Sequence, residues 1–417
     1  MTDRSRDRAP RALEATVDRR HFLASLGVMS AARLAPQSFS GAPRGLAAAS
    51  GDFLFAPGLV YLQTGSLGPT PRPVMERTIA AWKELELDPV EYGYGPQEKA
   101  MDAVREKAAG FLGCKTDELV LTRCTTEGMN WVAQGLGLTS GDRVLTTDQE
   151  HPGGRVCWDY VARRYGVAID IVVIPPGEND AQAIIDRFAK SITPRTRALS
   201  FSHLLTSTGL RMPVAELSAL ARARGCIAVV DGAQAVGGIA VDVKALGCHV
   251  YATSGHKWLL GPKGTGLLYL SEELGKTVDP IALQSGRAAY SASSGVSSIP
   301  SVLGLAAAID YHLGIGTARI EAHNLDLRNR LHGALQSVPR LRVVSAPPGP
   351  LASPLLTYTL PVDRNADALH TRLREKHKVE VKVVPTNWFN GQRISTHLFN
   401  TERDLDTLVK ALVVELV

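Results

Sequence analysis

Val229-Val230-Asp231-Gly232-Ala233-Gln234 is followed, twenty residues on, by Ser254-Gly255-His256-Lys257-Trp258. The first stretch is an apolar run that stops on a carboxylate, which reads as a strand ending at Asp231. The second places one lysine in a polar turn marked by glycine. A buried lysine amine can form a Schiff base with an aldehyde. A carboxylate at a strand end can keep a pyridine nitrogen protonated. Together these are the needs of pyridoxal 5'-phosphate, an electron sink for chemistry at the Cα of an amino acid. Around the lysine, Trp258-Leu259-Leu260-Gly261-Pro262-Lys263-Gly264 is apolar and glycine-rich. That setting predicts burial and a lowered amine pKa.

Outward from this pair, strands and helices alternate from about residue 100 to 270. Strands are expected at 118–123, 143–147, 169–174, 198–202, 227–230 and 264–270. Helices are expected at 102–111, 127–135, 155–165, 180–191 and 214–224. Strands joined by crossover helices predict an α/β fold, with a mostly parallel central sheet covered on both faces. A smaller α+β domain is expected over 300–417, with helices at 301–312, 319–335 and 402–416. Its short strands are expected at 341–344, 354–360, 379–384 and 392–398. The large domain would occupy 71–299. An extended segment, 50–70, would line the site.

Several residues join Asp231 and Lys257 as site candidates. Thr125 and Thr126 sit between a strand and a helix, where hydroxyls and backbone N–H groups can hold a phosphate. Plain helix capping is the ordinary alternative. Ser254 and His256 could hold the same phosphate from the other side. Gln234 could reach the ring hydroxyl. His151, in Glu150-His151-Pro152-Gly153, follows a strand; it could stack over the ring and handle a proton, or serve as a turn residue. Arg393, in Gly391-Gln392-Arg393-Ile394-Ser395, offers a planar, bidentate cation for a carboxylate, or a surface ion pair.

The 417 residues are 45% hydrophobic and 21% charged, and the formal net charge is +5. That balance is ordinary for a globular chain and implies no nucleic-acid partner. Five cysteines, Cys114, Cys124, Cys157, Cys226 and Cys248, are too scattered for a disulfide framework or zinc-ligand spacing. Residues 1–49 differ in character. Asp18-Arg19-Arg20-His21-Phe22-Leu23-Ala24 matches a twin-arginine export signal, and Ala47-Ala48-Ala49 offers a cleavage site. The expectation is export of a folded protein to the periplasm or beyond, with no membrane span in the mature form. A chance Arg-Arg pair in a cytoplasmic protein is the alternative.

From residue 59 onward the chain resembles the class V aminotransferase family of fold-type I pyridoxal phosphate enzymes, on Ser254–Trp258 and Asp231–Gln234. Three further segments look most like its isopenicillin-N epimerase branch: Tyr61–Pro71, Thr206–Leu210 and Trp388–Ser395. The resemblance implies a homodimer, a small-molecule amino acid substrate, Lys257 as the Schiff-base lysine and Asp231 on the ring nitrogen. It also implies Gln234 on the ring hydroxyl and His151 as the stacked ring. Thr126, Ser254 and His256 would hold the phosphate, and Arg393 the substrate carboxylate. The desulfurases of the family use a cysteine in the small domain, and this sequence has none after Cys248. Where the family places a threonine for the neighbouring subunit's phosphate, Ser294-Gly295-Val296-Ser297-Ser298 offers Val296 instead. Epimerisation, C–S lysis and transamination share these core residues, and a non-catalytic scaffold of the same fold is the alternative from another class.

Overall fold

In the computed structural model, residues 45–274 and 277–416 are described. The twin-arginine stretch lies outside them. Before the large sheet come β1 (Val60–Tyr61), α1 (Arg72–Leu85) and α2 (Pro96–Leu112). Then follow β2 (Leu119–Thr122), α3 (Thr125–Gly135), β3 (Arg143–Thr147), α4 (Pro152–Tyr165), β4 (Ala168–Val172) and α5 (Ala181–Ser191). β5 (Thr196–Ser202), α6 (Val214–Ala223), β6 (Ile227–Asp231), β7 (Val250–Ser254) and β8 (Gly266–Leu270) complete this part.

These strands form one seven-stranded sheet in the order β2-β8-β7-β6-β5-β3-β4. It is parallel except for β8, which runs antiparallel to both of its neighbours. Successive residues face opposite ways, so both faces are apolar. Val230, Leu199, Leu145 and Tyr251 pack beneath α2, α5 and α6. Val229, Ala198, Val144 and Val250 pack beneath α3 and α4, with Trp158 fully buried. Each large apolar side chain so buried contributes about 1.5–3 kcal/mol. The chain thus builds a fold-type I α/β architecture, with a reversed strand beside the lysine turn.

The later elements are α7 (Ile299–Ile315), α8 (Thr317–Gln336), β9 (Arg342–Val343), β10 (Leu355–Thr359) and α9 (Ala366–His377). They are followed by β11 (Val379–Glu380), β12 (Lys382–Val383), β13 (Gly391–Ser395) and α10 (Glu402–Leu416). α7 packs on α1 and α2 through Ile299, Val302 and Leu303 against Ala81, Met101 and Val104. A second sheet, β12-β13-β10-β9, is antiparallel throughout. α8, α9 and α10 cover one of its faces.

Three points of the expected layout need correction. The helix expected to follow a Thr-Thr cap starts at Thr125 itself; Cys124 is its N-cap, and no side chain caps it. Residues 379–384 are not one strand. β11 pairs parallel with β1, whereas β12 joins the second sheet. The 51–70 segment is therefore anchored to the C-terminal part at Val60 and Tyr61 before it reaches the site. Finally, α1 and β7 were absent from the sequence reading. β7 is buried at every position, so it shows no alternation.

Candidate active site

β6 delivers Asp231 and β7 delivers Ser254 at adjacent strand ends, where ligands collect in open α/β sheets. Between them and α3 lies a cavity of about 510 Å³. Thr125, Thr126, His151, Asp231, Ser254, His256 and Lys257 all line it. Gln234 and Arg393 are not among the residues that line it.

The α3 end is built for an anion. No side chain caps it, and Thr125, Thr126 and Glu127 of its first turn line the cavity at the positive end of the helix dipole. Thr125 is tied to the lysine strand: its N–H donates to Ser254 Oγ at 3.1 Å, and the two hydroxyls lie 2.8 Å apart. Glu127 would oppose an anion here. Its carboxylate is engaged by Arg123, through the backbone N–H at 2.6 Å and Nε at 2.8 Å. His256 Nδ1 lies 3.2 Å from the Thr265 carbonyl, which leaves Nε2 for another partner.

The opposite end holds the charge pair. Asp231 Oδ1 accepts the Ala233 N–H at 2.9 Å. Burial raises the Asp231 pKa, opposed by that bond and by Lys257. Burial lowers the pKa of Lys257, opposed by Asp231 and assisted by Arg393. The neutral amine is the nucleophilic form. The turn carrying it is held firmly. Trp258 is fully buried, its indole N–H donates to Gln234 Oε1 at 2.8 Å, and its carbonyl lies 3.1 Å from His312 Nε2 and 2.8 Å from His397 Nε2. Leu260 adopts φ 58°, which costs about 1–2 kcal/mol for a residue with a Cβ. Complete burial of its side chain, worth about 1.5–3 kcal/mol, offsets that strain.

His151 is the N-cap of α4, and its Nδ1 accepts the Gly153 N–H at 3.0 Å. The other ring nitrogen, Nε2, then carries the proton in the neutral form. Desolvation, with Lys257, Arg393 and Lys382 nearby, lowers its pKa to about 4. Gln234 Nε2 donates to the Gly65 carbonyl at 2.9 Å, so both ends of its amide already have protein partners. Arg393 is 4% exposed and donates to the Thr206 carbonyl at 2.9 Å and hydroxyl at 2.6 Å. Its Nε has no hydrogen-bond partner, and burial lowers its pKa to about 10. A buried guanidinium with an idle donor and no carboxylate beside it among the described residues is suited to an anion.

The sequence reading missed Arg123, Cys124, Gly153, Gly154 and Glu150. The two glycines carried a signal: a pair in the first turn of a helix costs about 1 kcal/mol each relative to alanine. Their use is close approach. A Cβ on Gly153 would lie 2.6 Å from Thr126 Oγ1, and one on Gly154 well under 3.0 Å from Asp231 Oδ2. Glu150 accepts from Thr147 Oγ1 at 2.6 Å, Ser202 Oγ at 2.5 Å and Ser202 N–H at 3.2 Å. Desolvation, reinforced by Asp231, raises its pKa to about 7 against the pull of those bonds.

The family model "Aminotransferase class-V" matches residues 60–408. The isopenicillin N epimerase of Amycolatopsis lactamdurans is 32% identical over 384 residues, 85% of this chain and 95% of its own. That of Streptomyces clavuligerus is also 32% identical, over 87% and 96% of the two chains. Among solved structures, the cysteine desulfurase CsdA of Escherichia coli is 26% identical with a TM-score of 0.77, covering 90% of this chain and 99% of that one. The cystine C–S lyase C-DES, solved with its product cysteine persulfide, is 25% identical with a TM-score of 0.77, over 86% and 98%.

Proposed function

This chain belongs to the class V aminotransferase family and is a pyridoxal 5'-phosphate enzyme, and on that premise we propose that it epimerises an amino acid at Cα. The observation that carries the reading is the meeting, in one cavity, of a buried lysine with a lowered pKa, a buried aspartate and a histidine. The residues suit the cofactor: Lys257 for its aldehyde, Asp231 for its ring nitrogen, and Thr125, Thr126, Ser254 and His256 for its phosphate. When bound, it supplies an electron sink conjugated to the substrate Cα.

The protein residues do the rest. Arg393 takes the α-carboxylate through its idle donor, which orients the Cα–H bond. Lys257, whose pKa burial lowers, removes the Cα proton as general base. Inversion needs a second group that returns a proton to the other face. His151 lines the same cavity and carries its proton on Nε2. The similarity to two isopenicillin N epimerases over most of the chain supports this outcome over others.

The test is to incubate the holoenzyme with L- and D-amino acids in D2O, then read Cα deuterium by mass spectrometry and configuration by chiral chromatography. Inversion with solvent deuterium, lost in Lys257→Ala, is the expected result. Release of a thiol or persulfide from cysteine conjugates, without inversion, would establish the C–S lyase reading that C-DES supports.

We also infer that the chain works as a homodimer and is exported. Trp82, Leu87 and Val90 are 60–76% exposed on α1, the turn after it and the short helix Pro89–Gly93, apolar surface suited to a second copy. Light scattering of the holoenzyme tests the dimer; a monomeric mass removes it. Substituting Arg19 and Arg20 by lysine, followed by cell fractionation, tests export; unchanged location removes that claim.

A further inference from the structure

In the second sheet, Lys382 on β12 pairs directly with Arg393 on β13, and Arg393 pairs directly with Thr357 on β10. Directly opposed residues project from the same face of a sheet. That face looks toward the large sheet. Thr357 Oγ1 donates to the Ser207 carbonyl at 2.8 Å, and Arg393 to Thr206. The alternate residues, Leu356, Tyr358 and Ile394, with Val383 beside them, fill the core on the other face. Lys382 therefore shares the side of the sheet from which Arg393 reaches the site.

Two cations opposed on neighbouring strands repel one another. Neither has an ion-pair partner among the described residues. The nearest acid along the strand, Glu380, is committed to Gln63, His370 and Arg374. Lys107 and Lys115 are neutralised by Asp310 and Glu272, and Lys382 has no such acid beside it among the described residues. Lys382 is half-buried, and its charge is felt by the His151 ring along with those of Lys257 and Arg393. The turn between β12 and β13 also leans on the segment leading to His151: Trp388 Nε1 donates to the Asp148 carbonyl at 3.2 Å. Lys382, opposed to Arg393 in the sheet, is thus one more cation on this face than an α-carboxylate needs.

We propose that the substrate is an amino acid whose side chain ends in a carboxylate, and that Lys382 receives this distal group while Arg393 holds the α-carboxylate. The inference rests on the reading that the chain acts on amino acids. The division of labour follows from the side chains. A rigid fork suits the fixed α-carboxylate, and a single charge on a flexible stem suits a group at variable reach.

The experiment titrates the pyridoxal-phosphate-loaded full chain with L-glutamate, L-2-aminoadipate, L-glutamine and L-norleucine, reading the visible absorbance change on binding rather than turnover. The two acids should bind about tenfold to a hundredfold more tightly than glutamine or norleucine. Lys382→Met should bring that ratio near one, Lys382→Glu should reverse it, and Lys382→Arg should keep most of it. Lys410→Met, exposed on α10, should leave the ratio as it is. Equal binding of acids and neutral analogues, or a preference that survives Lys382→Met, overturns the inference while leaving the amino acid reading intact. A spectrum that no amino acid perturbs overturns both.

Discussion

Gly154 lies against Asp231 so closely that a single methyl group there would come well under 3.0 Å from Oδ2. The glycine belongs to the first turn of α4 and the aspartate to the end of β6, so the gap between helix and sheet is set to leave one carboxylate oxygen uncrowded. Gly154→Ala must therefore move the aspartate or the helix. Overpacking of this kind costs about 1–3 kcal/mol. The expected outcome is roughly tenfold weaker pyridoxal phosphate binding, read by absorbance titration, with a small drop in melting temperature of the apoprotein.

Arg393→Lys keeps the charge and loses the fork. Lysine cannot hold Thr206 and also present two parallel N–H groups to a carboxylate. Amino acid binding should weaken by about tenfold to a hundredfold, whereas the absorbance band of the holoenzyme without substrate should stay in place. A variant that loses cofactor and substrate together would show that Arg393 is structural.

Burial pushes the Glu150 carboxyl up to about 7 from its ordinary 4.5. The folded state thus holds a proton that the unfolded chain releases, so stability is lost as pH rises from 4.5 through 7. Glu150→Gln keeps the shape without the charge. It should be more stable than the parent at pH 8, by about 3 kcal/mol, and about equal to it at pH 4. Urea denaturation at the two pH values reads the difference.

His203 and His397 are buried, with desolvation lowering each pKa to about 3. Here the unfolded chain binds protons that the folded one refuses, so stability falls as pH drops from 6.5 toward 3. Replacing His203 by glutamine should flatten that slope by up to about 1.4 kcal/mol per pH unit. His203 Nδ1 lies 2.8 Å from the Tyr251 hydroxyl, so the variant should also lose some stability at pH 7. Only the slope reports the buried imidazole.

Much of the backbone was legible because local pattern dictates it. β3 spans the β-rich run expected at 143–147, and α10 the helix expected at 402–416 after Asn400 and Thr401. α1 was missed because its pattern is weak: only Val74 and Ala81 are buried along fourteen residues. Residues 379–384 were merged into one strand because a β-rich run does not announce that its two halves belong to different sheets.

The sequence by itself determined the chemical inventory: one lysine in a glycine-marked turn, one aspartate closing a strand, and a histidine and an arginine in motifs of their own. Those residue types have few alternative uses in such settings, so their identity is informative without coordinates. Tertiary structure alone decided which of them meet. Asp231, Lys257, His151 and the α3 terminus converge because adjacent strands end at the same edge of the large sheet. Arg393 and Lys382 share one face because of a register in the small sheet. The spacing of residues along the chain carries the period of a helix or strand, but not the partner across a sheet, since that pairing is fixed by side-chain packing between segments far apart in sequence.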